Sequence, residues 1–223
     1  MLGEPATKHE DLLGGIRRLD KNELYSDLTI TCGGDVYKAH NLVVCSQSSA
    51  EEGRIDLPED DPWMVERMIY YFYHLDYLPT TRMNMCKLSG LDPLGDDRCP
   101  CISATHMKCS IDTDECLITH SYMYSMGDRF GSPGLRDMAS AKFTAALVQH
   151  GTTTGLPPVI PVVCATTPDS DPVLRTLVAQ DIVTYKGFLE DKILQISLRE
   201  HPVMAYYVLR AEHPDLNLPL PRI

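Results

Sequence analysis

The stretch SDLTITCGGDVYKAHN, residues 26–41, constrains the fold more than any other part of the chain. Apolar and polar residues alternate through Leu28–Cys32, so one face of this segment is predicted to be buried. Gly33 and Gly34 follow, and two consecutive glycines can both adopt positive φ without a Cβ clash, as a tight hairpin turn requires. The sequence therefore predicts a β-hairpin with one buried face.

Two further elements and a long helix are predicted after the hairpin. Leu42–Cys45 is a short apolar helix or turn, and the GRIDL segment around Ile55 is a third strand. In EDDPWMVERMIYYFYHLDYLP, Asp61 can cap the first amides of a helix and Pro62 suits its first position. This helix should end before Pro79. Its apolar residues fall on one face: Val65, Met68, Ile69 and Phe72.

Between 79 and 113 no sustained period is visible and turn-forming residues are frequent, so we interpret this segment as a loop insertion. Helical spacing resumes in DECLITHSYMYSMGDRFG, with Gly131 as a left-handed C-cap, and Pro133 opens the next helix. The spacing of the first helix runs through Leu117, His120, Met123, Tyr124 and Gly127. The residues predicted to face inward in the second are Leu135, Met138, Ala139, Phe143 and Ala146.

Residues 149–171 are rich in Pro, Gly and Thr, and we interpret them as a linker of partly extended character. Asp171 and Pro172 then repeat the pattern of a cap followed by proline. The next helix is predicted from the stripe Leu174, Leu177, Val178 and Ile182, and a second one from Leu189, Ile193 and Ile196. A last short helix is expected from Val203 to Ala211, after Pro202.

Composition and charge exclude several classes of function. The chain has 223 residues, 43% of them hydrophobic, which suffices for one domain of ordinary size and a smaller appendage. Its formal charge of -11 would repel a phosphate backbone or an anionic bilayer, so we expect neither nucleic acid nor a membrane as a partner. MLGEPATKHEDLLGG lacks the basic-then-apolar order of a signal peptide. We therefore expect a cytoplasmic or nuclear protein whose eight cysteines are free thiols.

The sequence contains no convincing catalytic or metal site. The motifs G-x-S-x-G, H-E-x-x-H and G-x-x-x-x-G-K-[ST] are absent, so we expect no enzyme and no cofactor. Residues that could bind zinc cluster at Cys99, Cys101, His106 and Cys109, but CPC is not a C-x-x-C knuckle and the spacing fits no common zinc finger. We interpret them as side chains scattered through the insertion. A metal-binding or redox-responsive role is the alternative.

Four sequence blocks together resemble the BTB/POZ domain, particularly the small stand-alone BTB proteins of filamentous fungi. They are SDLTITCGGDVYKAHNLVVCSQS, GRIDLPEDDPWMVERMIYYFYHLDY, LITHSYMYSMGDRFGSPGLRDMASAKF and, more loosely, the helical region from Asp171 to Glu212. The first three blocks follow the order of the family. The resemblance implies an α+β fold, in which a small sheet is flanked by a cluster of helices, with a helical C-terminal extension here.

The resemblance also reveals a gap after Ser49. In the family, the S-x-S motif beginning at Ser46 is followed by a whole helix and a hydrophobic-x-Glu element, whereas here AEEGRIDL follows directly. We interpret the gap as a skipped exon or a wrong gene model, with a natural shortened variant as the alternative. Loss of that helix is expected to expose Val43, Val44 and Ile55, at a cost of roughly 1.5–3 kcal/mol for each side chain.

The same resemblance implies that the chain docks other proteins. Asp27 and His40 occupy positions that many family members keep charged or polar near the dimer face, although local hydrogen bonding would explain His40 and turn capping would explain Asp27. Aromatic residues on helix faces favour docking because they bring a large area with few rotors to freeze. The residues predicted to form this partner or dimer surface are Asp27, His40, Met68, Phe72, Tyr73, Tyr122 and Tyr124.

The predicted function is therefore a non-catalytic protein-interaction module that docks other proteins or forms a homodimer. It comprises an N-terminal tail (1–22), a BTB/POZ-like domain (23–148) with its insertion, the Pro/Thr-rich linker (149–171) and a helical C-terminal region (172–223). A substrate adaptor on the cullin scaffold of a ubiquitin ligase is an alternative. The sequence weakens that alternative, because the hydrophobic-x-Glu element that family adaptors use to grip the cullin falls within the gap.

Overall fold

The structure is a computed structural model that describes residues 8–20, 22–49, 53–78, 113–150, 156–168, 170–184, 187 and 190–215. It mixes α and β structure. The strands are β1 (Leu28–Cys32), β2 (Asp35–Ala39) and β3 (Arg54–Asp56). The helices are α1 (Lys8–Leu19), α2 (Asn41–Cys45), α3 (Pro62–His74), α4 (Thr113–Arg129), α5 (Pro133–His150), α6 (Leu156–Thr166), α7 (Val173–Thr184), α8 (Lys192–Glu200) and α9 (Pro202–Glu212).

The chain forms two compact units. The first consists of Met1–Leu78 and Met123–Met138, and the second of Pro79–Tyr122 and Ala139–Ile223. Residues 79–112 of the predicted insertion lie outside the described residues. Within the described ranges, no helix combines the length and the hydropathy of a membrane span.

The sheet of the first unit is built on the predicted hairpin. Strand β1 lies in the centre, antiparallel to β2 and parallel to β3. Gly33 and Gly34 connect β1 to β2 with φ angles of 55° and 95°, which confirms the two-residue turn with positive φ at both positions. The buried side chains of β1 are Leu28, Ile30 and Cys32, each at most 1% exposed. The alternation in the sequence therefore predicted the buried face correctly.

Helix α3 begins where its capping residues predicted. Asp61 Oδ1 accepts a hydrogen bond from the backbone N–H of Trp63 at 2.8 Å, and Pro62 is the first helical residue. The helix ends at His74, and Leu75 adopts a left-handed φ of 54°. The residues predicted to share one face are all buried: Val65, Met68, Ile69 and Phe72.

The predicted N-terminal tail contains a helix. Helix α1 occupies Lys8–Leu19, and Asp20 directly after it places Oδ2 3.0 Å from Nε2 of His74 at the end of α3. The ring of Tyr70 stacks on His74 with a centroid separation of 3.9 Å. This contact ties the end of α1 to α3, so the segment is part of the first unit.

The corner between α4 and α5 confirms the predicted left-handed cap. Gly131 has a φ of 58°, its N–H donates to Asp128 O at 3.1 Å, and Ser132 N–H donates to Gly127 O at 2.7 Å. This pair of hydrogen bonds defines a Schellman motif. Pro133 then starts α5. Its buried residues are Leu135, Ala139, Phe143 and Ala146, whereas Met138, also predicted to face inward, is only half-buried.

Ser49, the last residue before the gap, is attached to this corner. Its N–H and its hydroxyl donate to Phe130 O at 2.7 Å and 3.0 Å. Val43 and Val44 are 8% and 1% exposed and Ile55 is half-buried, so the predicted exposure of the two valines beside the gap is wrong. The described chain covers these residues without the helix that the resemblance implies.

The predicted extended linker is also wrong. Leu156–Thr166, in the middle of 149–171, form helix α6, and its buried residues are Leu156, Val159, Ile160 and Val163. Pro157 and Pro158 lie in the first turn of the helix, where a missing N–H costs no intrahelical hydrogen bond. A proline-rich composition therefore does not prevent a helix here.

Pro161 lies inside α6 and cannot donate to the carbonyl of Pro157, four residues earlier. The hydroxyl of Ser197, on α8, donates to Pro157 O at 3.2 Å. Ser197 is 8% exposed and Pro157 is half-buried, so this hydrogen bond is partly shielded from water. A tertiary contact thus replaces the hydrogen bond that the proline removes.

Helix α7 begins with the predicted cap, since Asp171 Oδ1 accepts from Val173 N–H at 3.0 Å. Its buried apolar residues include Leu174, Val178 and Ile182, while Leu177 is half-buried. The guanidinium of Arg175, 2% exposed, donates to Thr167 O at 2.6 Å and to Pro168 O at 3.2 Å. Arg175 therefore ties α7 to the residues that follow α6.

The two helices predicted near the C-terminus are α8 and α9, on either side of His201. Leu189 lies outside the described residues. Ile193 and Ile196, whose spacing predicted α8, are 67% and 51% exposed, whereas Leu194 and Ser197 are buried. The helix was thus predicted correctly from residues that do not face its core.

Candidate functional site

A tight turn between α1 and β1 carries the most exposed aromatic residue of the first unit. Ser26 N–H donates to Glu23 O at 3.0 Å, which closes a β-turn, and Leu24 N–H donates to Asn22 Oδ1 at 2.9 Å. Tyr25, the third residue of the turn, has a φ of 67°. This left-handed conformation is normally occupied by glycine or asparagine, because a Cβ is disfavoured there.

The turn is held against the start of α2 from two sides. Nε2 of His40 lies 3.1 Å from Leu24 O, and Asp27 Oδ1 accepts from Asn41 N–H at 2.6 Å. A carbonyl oxygen can only accept, so Nε2 of His40 carries a proton; in the neutral imidazole Nδ1, 2.9 Å from the Tyr73 hydroxyl, is then the acceptor. These contacts fix the backbone on both sides of Tyr25.

Tyr73 anchors this scaffold in the core. It is 2% exposed, and its hydroxyl also accepts from the backbone N–H of His40 at 2.9 Å. Burial raises the pKa of Tyr73, and the hydrogen bond from His40 partly opposes that rise. A neutral Tyr73 can therefore accept one hydrogen bond from the backbone and donate the other to the imidazole.

Three large apolar side chains are exposed on this scaffold. Tyr25 is 84% exposed, Leu24 58% and Leu42 82%. Leu24 and Tyr25 belong to the turn, and Leu42 is the second residue of α2, which His40 and Asp27 attach to the turn. We call Leu24, Tyr25 and Leu42 the contact patch.

Most of the residues predicted to form a partner surface are in the interior. The exposed fractions of His40, Met68, Phe72, Tyr73 and Tyr124 are 7%, 1%, 1%, 2% and 3%. The prediction that they form a contact surface is therefore wrong: Met68, Phe72 and Tyr124 are buried, and His40 and Tyr73 form the scaffold beneath the contact patch.

The other two predicted surface residues are accessible. Asp27 is exposed, and its carboxylate caps the first amide of α2, which is the local role that the sequence allowed as an alternative. Tyr122 is 39% exposed. Tyr37 is half-buried, and its hydroxyl donates to Pro62 O at 3.3 Å. Burial and then the nearby carboxylate of Asp35 raise the pKa of Tyr37 to about 12.

Sequence reasoning missed all three residues of the contact patch. Leu24 and Tyr25 precede the first periodic segment, and no glycine or asparagine marks the position with positive φ. Leu42 belongs to an apolar run whose next two residues, Val43 and Val44, are buried. The one signal in the sequence was the aromatic side chain of Tyr25, directly before Ser26 and Asp27 at the start of the first block.

No metal site is assembled from the described residues. Cys99, Cys101, His106 and Cys109 lie outside them, and the described ranges contain no group of three His, Cys, Asp or Glu side chains that could hold a metal ion. The free thiol of Cys32 is buried. Burial, followed by the carboxylates of Asp60, Asp61 and Asp35, raises its pKa, so this thiol stays protonated and is a poor nucleophile.

In comparisons with known proteins, no protein-family model and no curated protein matches this chain. The likeness to the BTB/POZ domain therefore rests on the four sequence blocks. The fold agrees with that likeness at the level of a mixed α and β architecture with a small three-stranded sheet.

Proposed function

We propose that this chain is a non-catalytic protein-interaction module of the BTB/POZ type that docks another polypeptide through the contact patch. The observation that carries the proposal is Tyr25, which is 84% exposed at a φ of 67°. The resemblance of the four sequence blocks supports the same class of function.

The energetics of Tyr25 favour a role outside folding. A non-glycine residue held in the left-handed region costs on the order of 1 kcal/mol, and strain of this kind is frequent at binding sites. With 84% of its surface in water, the side chain gains little from packing within the chain. A non-glycine residue at position 25 therefore lowers the stability of the chain, and its exposed ring is available to a partner.

The contact patch has the properties of an interaction hot spot. Tyrosine brings a large area with two rotatable side-chain bonds, and the surrounding turn is fixed by His40 and Asp27, so little conformational freedom is lost on binding. Burying the exposed side chains of Leu24 and Leu42 against the same partner would add about 1.5–3 kcal/mol for each before association costs. Glu23 and Asp27 supply exposed polar groups at the rim.

The substitution Tyr25→Gly tests the proposal without unfolding the protein. Glycine accepts the positive φ, so we expect unchanged circular dichroism and a free energy of unfolding that is higher by about 1 kcal/mol or unchanged. Affinity capture from cell extract with quantitative mass spectrometry should give a set of proteins that is retained by wild type and lost with Tyr25→Gly. Light scattering on the purified wild type and Tyr25→Gly measures the molar mass of each, and so detects self-association through the contact patch.

Val148→Ser is the matched control, because Val148 on α5 is 82% exposed and lies outside the patch. We expect this variant to capture the same proteins as wild type. Identical captured sets and identical molar masses for wild type, Tyr25→Gly and Val148→Ser would show that the contact patch binds nothing.

A further inference from the structure

Helix α8 in the second unit turns an apolar stripe toward solvent. Ile193 is 67% exposed and Ile196 51%, whereas Leu194 and Ser197 on the other side of the helix are 1% and 8% exposed. Two exposed isoleucines one turn apart on a single short helix form an apolar surface that the described part of the second unit does not cover. This stripe is distant in sequence from the contact patch and requires its own explanation.

The buried face of α8, with Leu194 and Ser197, fixes the orientation of the stripe. Asp191 Oδ1 accepts from the N–H groups of Ile193 at 2.9 Å and Leu194 at 3.1 Å, which caps the first turn. The hydroxyl of Ser197 donates to Pro157 O on α6, which holds the opposite face. The helix therefore cannot rotate its isoleucines into the core without breaking these contacts.

Lys192 and Glu200, which have opposite charges, lie at the two ends of the stripe, and the exposed Arg199 precedes Glu200. Lys192 is the first residue of α8 and Glu200 the last, and both are exposed. With about 100° of rotation per residue, each lies about 40° from Ile196, on either side of it. Because they are four residues before and four residues after Ile196, a two-fold axis at Ile196 places Lys192 level with Glu200 of a second copy.

We propose that the α8 stripe is a self-association surface, in which α8 packs antiparallel to α8 of a second copy of this chain. Ile193 and Ile196 of both copies form the apolar centre, and two ion pairs between Lys192 and Glu200 close the ends. The interface is isologous, since the same residues contribute from each copy and the assembly closes as a dimer. The complementary charges select the antiparallel arrangement, because a parallel one would place like charges level with each other.

The dimer is expected to be weak. A helix of nine residues is only about 14 Å long, so the interface is smaller than a standard-size interface and is of the weak, transient class. We expect a dissociation constant on the order of 100 µM, which sedimentation equilibrium detects over a concentration series reaching about 1 mM. All measurements use the full chain carrying Tyr25→Gly, so that the contact patch does not contribute.

Charge exchange provides a sharp test. Lys192→Glu and Glu200→Lys should each weaken self-association by about tenfold, because each places like charges level with each other at both ends. An equimolar mixture of the two variants should form mixed dimers with the dissociation constant of the wild type. In the mixed dimer, residue 192 of each copy again lies level with a residue 200 of opposite charge. Both substitutions also suit the helix dipole, so neither is expected to unfold α8.

Ile196→Ser removes the centre of the interface at a residue that is already 51% exposed, and it should abolish dimers while leaving the unfolding curve nearly unchanged. Self-association that is absent up to 1 mM, insensitive to both single charge changes, or not restored in the mixture would overturn the proposal. These outcomes do not bear on the contact patch, which lies on other residues and is tested by capture of partners.

Discussion

The hydrogen bond from Ser197 to the carbonyl of Pro157 allows the stability of α6 to be tested quantitatively. Pro161 has no N–H, so the carbonyl oxygen of Pro157 accepts its hydrogen bond from the Ser197 hydroxyl at 3.2 Å. The Ser197→Ala variant lacks the hydroxyl, so the carbonyl of Pro157 loses its donor. Ser197 is 8% exposed, so water replaces the hydroxyl only in part. The expected loss in the free energy of unfolding is about 1–1.5 kcal/mol, because Pro157 is half-buried and its carbonyl regains hydrogen bonds to water only in part.

The same substitution in a Pro161→Ala background should cost much less. Alanine at 161 restores the backbone N–H, which can donate to Pro157 O within the helix. The hydroxyl of Ser197 then becomes dispensable, and its removal should cost less than about 0.5 kcal/mol, which gives a coupling energy of about 1 kcal/mol between the two sites. Pro161→Ala alone should raise stability, since an interior proline disfavours a helix.

The assay is urea unfolding followed by circular dichroism for the wild type, both single variants and the double variant. The denaturant slope must stay constant across the four proteins for the cycle to report native-state coupling. If Ser197→Ala costs the same with proline and with alanine at position 161, the hydroxyl does not replace the missing backbone donor. The account of how this proline-rich segment forms a helix would then be wrong.

Three further outcomes follow from local geometry and charge. Gly131→Ala should destabilise the chain by more than about 1 kcal/mol in urea unfolding, because φ is 58° and the added Cβ would lie 2.6 Å from Ser49 Oγ. Burial raises the pKa of Asp181 in the folded state, so the free energy of unfolding falls as the pH rises from the unfolded pKa through the folded pKa. In urea unfolding at two pH values, Asp181→Asn should therefore stabilise the chain at neutral pH but not in acid. For Tyr37 the folded pKa is about 12 against 10 unfolded, so stability falls as pH rises through this window, and Tyr37→Phe should reduce that fall in alkaline unfolding curves.

The elements that sequence reasoning predicted correctly are those specified by adjacent residues. Gly33 and Gly34 determine the hairpin turn because both positions require positive φ. Asp61 and Pro62 start α3 through a side-chain cap and a fixed φ, and Gly131 ends α4 for the same kind of reason. In each case the decisive interaction spans a few residues, so the sequence contains all the information needed.

The errors arose where distant residues decide the outcome. Residues 149–171 were predicted to be partly extended because of their prolines, but Ser197 supplies a donor to α6 from 40 residues away. The spacing of Ile193 and Ile196 predicted α8 without revealing which face is buried, because Leu194 and Ser197 also fit a helical period. Secondary structure followed from the local pattern, but burial required the tertiary contacts.

The contact patch was missed for the same physical reason. His40 and Asp27 fix the backbone on both sides of Tyr25 through contacts that span 16 and 14 residues. The chain between these two anchors must reverse direction, and it does so in a turn whose third residue, Tyr25, has a positive φ although its side chain disfavours this conformation. Its exposure is thus a consequence of the buried scaffold formed by His40 and Tyr73. Binding through the patch should therefore depend on these buried residues as strongly as on Tyr25 itself.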